Sequence, residues 1–108
     1  MEQESSKMRV EYGLDITHVQ LADERILDEE QIRDLSESLE AVIERNKDSQ
    51  ILMDFVNVKS MTSAMLGLLV RVHKRVCERG GQLKLCNLDP SIQKVFEITQ
   101  LTKVFDIS

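Results

Sequence analysis

Residues 51–88 read ILMDFVNVKSMTSAMLGLLVRVHKRVCERGGQLKLCNL and predict a strand, a helix and a second strand in that order. The nearly continuous apolar run Ile51–Val56 is typical of a central strand that is covered on both faces. A helix is predicted from about Ser63 to Glu78, because the stretch Arg79–Gly81 supplies a basic last turn and then glycine for a left-handed cap. The side chains of this helix that are predicted to face the core are Leu66, Leu69, Val70, His73 and Val76 or Cys77. Gln82–Cys86 predicts the next strand, and two strands joined through a helix indicate parallel pairing with a right-handed crossover.

The segment before residue 51 predicts two strands and a long helix. Met8–Tyr12 is expected to form an edge strand, and the alternation along Ile16–Leu21 predicts a second strand that forms a hairpin with it. Asp28, with Gln31 three residues later, has the pattern of a helix N-cap with a capping box. Apolar residues three and four apart continue this helix on one face, at Ile32, Leu35, Leu39, Val42 and Ile43. The helix is predicted to end in a polar loop over residues 46–49.

The remaining segments complete the predicted fold. Asp89 and Pro90 begin a third helix as its N-cap and first helical residue, and Val104–Ile107 predicts a last short strand. The polar residues 1–7 are predicted to be a disordered tail, and residues 8–108 a single domain. The order β-β-α-β-α-β-α-β places the chain in the α/β class, with a mixed, mainly parallel sheet of four to five strands and helices packed on it.

The charge balance argues against several classes of partner. The chain has 108 residues, a formal net charge of −5 and 42% hydrophobic residues. An acidic balance disfavours binding to nucleic-acid phosphates, so the basic stretch Arg71–Arg79 is interpreted as a solvated helix face. No apolar run approaches the roughly 18 residues that span a bilayer, and no targeting segment is visible. We therefore expect a cytoplasmic protein with no membrane or nucleic-acid partner.

The side chains with catalytic potential form no recognisable site in the sequence. Cys77 and Cys86 are expected to be reduced thiols, and together with two distant histidines they lack the spacing of a metal site. His18 and His73 are interpreted as structural or surface side chains. No phosphate loop, carboxylate pair or nucleophile elbow is visible. The sequence therefore predicts a non-enzymatic domain without a cofactor or a metal.

Three features in a fixed order resemble one known family. They are the strand at 51–56 with the turn VKSMTSAMLG (58–67), the stretch RGGQLKLCNL (79–88), and the stretch PSIQKVFEITQL (90–101) followed by VFDI (104–107). Together these features resemble STAS domains, in particular bacterial anti-sigma factor antagonists, from Val10 to Ser108. The resemblance implies a STAS-like single domain with a binding role.

The resemblance also implies a phosphorylation site. Family members carry Asp-Ser-Ser-Gly-Leu-Gly at the turn into the second helix, where a partner kinase phosphorylates the first Ser, and here the motif falls on TSAMLG (62–67). Ser63 matches the phosphorylated Ser, and Thr62, in place of the Asp, is a second candidate hydroxyl. A phosphate at a helix N-terminus interacts favourably with the free N–H groups and adds about −1.5 to −2 charges. Phosphorylation is therefore expected to block a partner; the alternative is that both hydroxyls are ordinary caps.

The family's partner surface includes this region, and the partner-binding candidates are Asp28, Met61, Thr62, Ser63 and Met65. The expected partner is an anti-sigma factor or serine kinase, and a phosphatase and a second copy of the chain are further protein partners that the resemblance allows. Other interpretations stay open, since methionines also suit core packing and Asp28 also suits a solvated loop. Ala64 and Met65 replace the motif's second Ser and first Gly, which supports an alternative function as a constitutive, unphosphorylated scaffold or oligomerisation module. Nucleotide binding is a third, weaker hypothesis.

Overall fold

The computed structural model describes residues 2–4, 8–45 and 50–107 of the chain. In these ranges the strands are β1 (Glu2–Glu4), β2 (Met8–Tyr12), β3 (Ile16–Leu21), β4 (Arg25–Ile26), β5 (Gln50–Asp54), β6 (Ser60–Met61), β7 (Gln82–Cys86) and β8 (Asp106–Ile107). The helices are α1 (Glu29–Arg45), α2 (Ser63–Glu78) and α3 (Pro90–Ile98), and Leu101–Lys103 forms a short 3-10 helix. Within the described ranges, no helix has the length and apolarity that a membrane crossing requires.

Six strands form one mixed sheet in the order β1-β2-β3-β5-β7-β8. β1, β2 and β3 pair antiparallel, whereas β3, β5, β7 and β8 pair parallel. One row of apolar residues crosses five of these strands, and it consists of Val10, Val19, Met53, Leu85 and Ile107. Because side chains alternate between the two faces of a strand, this row fixes the register of the sheet against its core. The predicted hairpin and the mainly parallel sheet are confirmed.

One face of the sheet carries the core, and the three helices cover that face. Along β3 the side chains of Thr17, Val19 and Leu21 are buried, whereas Ile16 is 46% exposed. The buried face and the helix stripes join in one apolar cluster. β5 was expected to be covered on both faces, and that prediction is wrong for the outer face, where Leu52 is only partly buried. The domain therefore has two layers, with the outer face of the sheet left accessible.

The structure confirms the predicted caps at the starts of α1 and α3 and at the end of α2. Asp28 Oδ1 accepts a hydrogen bond from the backbone N–H of Gln31 at 2.8 Å, and Gln31 Oε1 accepts one from the N–H of Asp28 at 3.1 Å. This reciprocal pair is the predicted capping box of α1. At α3, Asp89 Oδ1 accepts from the N–H of Ser91 at 3.1 Å. Gly80, with φ of 83°, supplies the left-handed residue after α2.

The buried stripe of α2 differs from the predicted one. The residues of α2 that the core buries are Met65, Leu68, Leu69, Val72 and Val76. The prediction shares only Leu69 and Val76 with this set. It failed because apolar residues occupy nearly every position from Met65 to Val72, so their spacing is compatible with two neighbouring stripes. The structure selects the stripe that places Met65 in the core.

The six-stranded sheet also contains one strand that the sequence did not predict. Glu2–Glu4 pairs with β2 although residues 1–7 were predicted to be a disordered tail; Met1 and residues 5–7 lie outside the described residues. A polar segment can pair there because backbone hydrogen bonds to a strand edge need no apolar side chains. The predicted strand Val104–Ile107 is shorter, because Val104 follows the 3-10 helix and only Asp106–Ile107 pairs with β7. The loop predicted at 46–49 lies outside the described residues.

Candidate functional site

Ser63 is the first residue of α2, and its side chain is exposed. Thr62 occupies the N-cap position with extended backbone angles, but its side chain makes no capping hydrogen bond. The Oγ1 atom of Thr62 is buried and has no hydrogen-bond partner among the described residues. The backbone N–H groups at the start of α2 are therefore not capped by the Thr62 side chain, and of the two candidate hydroxyls only that of Ser63 belongs to an exposed residue.

A two-stranded ladder brings the loop before α1 to the start of α2. β4 and β6 pair parallel, with Arg25 opposite Ser60 and Ile26 opposite Met61. The ladder continues where the N–H of Thr62 donates to the carbonyl oxygen of Ile26 at 3.1 Å. The structure thus places the loop residues Leu27 and Asp28 near Met61, Thr62 and Ser63. We call these five residues the Ser63 face.

The loop side of the Ser63 face is held by Gln31. Its Oε1 accepts hydrogen bonds from the N–H groups of Leu27 and Asp28, at 2.9 and 3.1 Å. Its Nε2 donates to Asp23 Oδ2 at 3.1 Å and to the carbonyl oxygen of Arg25 at 2.8 Å. Asp28 is therefore an ordered cap of α1 as well as a surface residue. The same contacts fix Leu27, which is 49% exposed and was not among the predicted residues.

The two candidate methionines have different environments. Met65 is 0% exposed and belongs to the core cluster, so its predicted role as a partner-binding residue is wrong for this structure. Met61 is partly buried and packs against the same cluster. Of the predicted partner-binding residues, Asp28 and Ser63 are exposed, and Met61 and Thr62 are partly exposed. Met65 instead anchors the first turn of α2 beneath them.

Gly67 is an exposed residue in the second turn of α2. A Cβ atom at this position would meet Arg71 Nη1 at 3.8 Å, an ordinary van der Waals distance. We expect Gly67→Ala to raise the free energy of unfolding by about 1 kcal/mol, because alanine has the higher helix propensity. Urea unfolding would measure this change. Gly13→Ala is the control, and it is expected to lower the free energy of unfolding because its Cβ would lie 2.5 Å from the carbonyl oxygen of Ile16. A urea midpoint of Gly67→Ala below that of the wild type would contradict the expectation.

A second polar cluster joins the carboxyl ends of β5 and β7 to the middle of β3. Asp54 is buried, and its Oδ1 accepts hydrogen bonds from Asn87 Nδ2 and from the N–H of Val56, each at 3.0 Å. Its Oδ2 lies 3.0 Å from His18 Nε2. Burial raises the pKa of Asp54, but the hydrogen bonds from Asn87, Val56 and His18 outweigh it and hold that pKa below its usual value. These contacts identify His18 as a structural side chain, as predicted.

The cysteines and potential metal ligands form no further centre in the described ranges. Cys77 and Cys86 are both free thiols, as predicted. Burial, and then the nearby charge of Asp54, raises the pKa of the Cys86 thiol. Among the residues that the structure describes, no group of three or more His, Cys, Asp or Glu side chains is arranged to hold a metal ion. The Ser63 face is therefore the candidate functional site.

The family model described as the STAS domain matches residues 9–108. The chain belongs to the STAS family. This STAS domain is 38% identical over 74 residues to the anti-sigma-B factor antagonist of Bacillus subtilis, covering 68% of this chain and 66% of that relative. It is 23% identical over 69 residues to the anti-sigma F factor antagonist of Paenibacillus polymyxa, covering 64% of this chain and 59% of the relative. The alignments thus span less than two thirds of each of these relatives.

Solved structures share the fold of this STAS domain. An anti-sigma-factor antagonist domain protein from Planctomyces limnophilus has a TM-score of 0.83 at 23% identity, covering 93% of this chain and 87% of that one. SpoIIAA in its unphosphorylated form has a TM-score of 0.76 at 18% identity, covering 94% and 87%. Bacillus SpoIIAA in its phosphorylated form has a TM-score of 0.70 at 17% identity, covering 94% of this chain and 90% of that one. At these identities the similarity establishes the fold, and the predicted STAS architecture is confirmed.

Proposed function

We propose that this STAS domain is an anti-sigma factor antagonist that binds an anti-sigma factor with serine kinase activity and releases it when Ser63 is phosphorylated. The observation that carries the proposal is the exposed position of Ser63 at the start of α2, beside the ordered loop of Leu27 and Asp28. A partner that covers this face also covers the hydroxyl. Phosphorylation would therefore act at the centre of the contact, and the domain is proposed to work as a binding module without catalysis of its own.

The geometry favours Ser63 over Thr62 as the phosphorylated residue. A kinase must reach the hydroxyl oxygen, and Thr62 Oγ1 is buried whereas Ser63 is exposed. The first turn of α2 contains no acidic residue that would repel a phosphate. Met65 is fixed in the core two residues later, so added charge at Ser63 would change the surface while the helix start stays anchored.

The relatives support the proposed partner class and the proposed switch. The Bacillus subtilis relative is named as an antagonist of the anti-sigma-B factor, and SpoIIAA has both an unphosphorylated and a phosphorylated form. We infer a cycle in which a kinase adds the phosphate and a phosphatase removes it. The net charge of −5 suits a protein partner better than nucleic acid, and we place the activity in the cytoplasm.

Binding measurements with defined phosphorylation states test this function. We expect the unmodified domain to bind one of the kinase-type anti-sigma factors encoded in the same genome, and the domain with phosphoserine at position 63 to bind it at least about tenfold more weakly. The physical reason is that a charge of about −1.5 to −2 has to be desolvated in the contact. Isothermal titration calorimetry with each purified candidate provides the affinities.

Substitutions at the two hydroxyls provide the matched controls. Incubation with the kinase and ATP is expected to phosphorylate the wild type and Thr62→Val, and to leave Ser63→Ala unmodified, as read by intact mass. Equal affinities of the unmodified and phosphorylated domains would contradict the switch. That result would favour the constitutive scaffold, which the replacement of the family's Asp-Ser-Ser-Gly by Thr62, Ser63, Ala64 and Met65 also supports.

A further inference from the structure

Two arginines from different helices line one cavity near the first turn of α2. The cavity, of about 290 Å³, lies between α1 and α2, and its lining includes Arg33 from α1 and Ala64 and Arg71 from α2. A neighbouring cavity of about 310 Å³ also contacts Ser36 and Arg71, so the groove continues along both helices. Ala64 directly follows Ser63 in the chain. The groove therefore reaches the first turn of α2, the turn that Ser63 begins.

Arg71 extends towards the start of α2 over Gly67. Its Nη1 atom lies 3.8 Å from the position that a Cβ of Gly67 would occupy, and its side chain also lines the cavity with Ala64. Helix side chains point towards the N-terminus, and Cβ positions four residues apart are about 5–6 Å from each other. Arg71 Nη1 therefore lies beside Gly67, which is one helical turn after Ser63, and glycine places no side chain at that position.

Among the described residues these two arginines have no carboxylate partner, in contrast to Arg75, which lies on α2 with Arg71. Arg75 Nη2 lies 3.0 Å from Glu40 Oε1 and 3.2 Å from Glu44 Oε1. Within residues 8–45 and 50–107, neither Arg33 nor Arg71 has a side-chain ion pair or hydrogen bond. Both residues are exposed, so their N–H donors are accessible to a ligand. A guanidinium is the group best suited to bind a phosphate through two parallel hydrogen bonds.

We propose that Arg71, assisted by Arg33 from the facing helix, binds the phosphate group of phosphorylated Ser63. The inference rests on the proposed function, which supplies that phosphate. In the transfer, the bond from Ser63 Oγ to phosphorus forms, the bond from the γ-phosphorus of ATP to its bridging oxygen breaks, ADP leaves, and the hydroxyl proton passes to a base of the kinase. Arg71 then holds the product and plays no part in the transfer.

Charges of both signs surround the proposed phosphate position. Glu29 and Glu37 line the same cavity and oppose the phosphate, whereas the dipole of α2 favours it. The arginines outweigh the two carboxylates because they can form charge-assisted hydrogen bonds with phosphate oxygens. Phosphorylation would therefore convert the open groove between α1 and α2 into a cross-linked surface, in addition to placing charge on the Ser63 face.

The full chain with phosphoserine incorporated at position 63 during translation tests the pairing without any kinase or partner. Free phosphoserine has a second pKa of about 6. In the wild-type background we expect the ³¹P NMR titration midpoint to be lower by about one pH unit, because a nearby guanidinium favours the dianion. Arg71→Gln is expected to remove most of this shift and Arg33→Gln a smaller part. Lys74→Gln, which removes an exposed cation from the same helix, is expected to leave it in place.

Equal ³¹P titration midpoints of phosphorylated Ser63 in the wild type and in Arg71→Gln would overturn the proposal, provided that circular dichroism shows both proteins to be folded. Should Arg71→Gln fail to fold, the wild type alone decides. Screening by 1 M NaCl is expected to move its midpoint towards that of free phosphoserine, and an unchanged midpoint would overturn the pairing. Neither the kinase nor the anti-sigma factor is present, so this result is independent of the binding measurements. A shifted midpoint with unchanged partner affinity would support the arginine pairing and contradict the proposed function.

Discussion

Met65→Ala is expected to lower the free energy of unfolding by about 2–5 kcal/mol, the range for truncating a buried large apolar side chain. Met65 is 0% exposed and lies in the same cluster as Leu68, Leu69 and Val72 of α2. Truncation removes its burial and leaves a cavity under the first turn of α2. Urea unfolding followed by circular dichroism measures the loss, and we expect a lower midpoint with an unchanged slope.

Two matched substitutions separate core packing from a role in docking. Met65→Leu nearly conserves the volume and is expected to cost less than about 1.5 kcal/mol. Met61→Ala removes a side chain that is only partly buried and is expected to cost less than Met65→Ala. If Met65→Ala left the stability unchanged and weakened binding to the anti-sigma factor, Met65 would contact the partner and the burial described above would be wrong.

Much of the fold could be predicted because its signals are local. Asp28 and Gln31 are three residues apart, and Asp89 caps α3 through Ser91, two residues later. The sequence alone therefore marks both helix N-termini. Alternation along β3 and the apolar run of β5 likewise need no distant partner. The ladder of β4 and β6 gave no such signal, because each strand has two residues and the pairing joins distant segments. That ladder, however, is what assembles the Ser63 face.

The site could be predicted only in part. Ser63 was identified through the family resemblance, and its exposure agrees with a surface role. Met65 was named as a partner-binding candidate because the resemblance places the family's partner surface in this region, with core packing as the alternative; packing against the sheet places it in the core. Leu27 lacked a signal of its own, since a single apolar residue in a polar loop has no periodicity. The position of Arg71 Nη1 beside Gly67 depends on the side-chain conformation of Arg71, which the spacing of residues in the sequence does not reveal.

The contacts of the buried Asp54 could not be predicted from the sequence either. Asp54 interrupts an apolar run and gives no indication of its partners, because His18 and Asn87 are 36 and 33 residues away in the chain. Parallel pairing places His18 of β3 opposite Leu52, two residues before Asp54, and places Cys86, the residue before Asn87, opposite Asp54. The pairing of distant strands therefore assembles the cluster of Asp54, Asn87 and His18. The contribution of this cluster to stability can be measured.

Asp54→Ala is expected to lower the free energy of unfolding by about 2–3 kcal/mol at neutral pH. The substitution leaves the N–H of Val56 and Nδ2 of Asn87 without their acceptor, and a hydrogen bond to a charged group typically contributes about 1.5–3 kcal/mol. Non-additivity and access of water to the exposed Val56 keep the expected loss below the sum of two such bonds. Asp106→Ala is the control: this exposed carboxylate lies 3.9 Å from Lys84 Nζ, and its loss is expected to cost less than about 1 kcal/mol.

The pH dependence of the difference between wild type and Asp54→Asn tests the electrostatic part of this contribution. The pKa of Asp54 is lower in the folded state than its usual value, so the unfolded chain binds the proton more readily. The ionised carboxylate therefore stabilises the fold fully above a pH of about 4, and this contribution is lost as the pH falls through the lower folded-state pKa. Asparagine keeps an acceptor for Val56 and Asn87 but does not titrate, and the titrations of groups that do not contact Asp54 cancel in the difference. The stability gap between them is expected to narrow on acidification from pH 7 to pH 3; a gap that stays constant or widens would show that the hydrogen bonds do not favour the ionised form of Asp54.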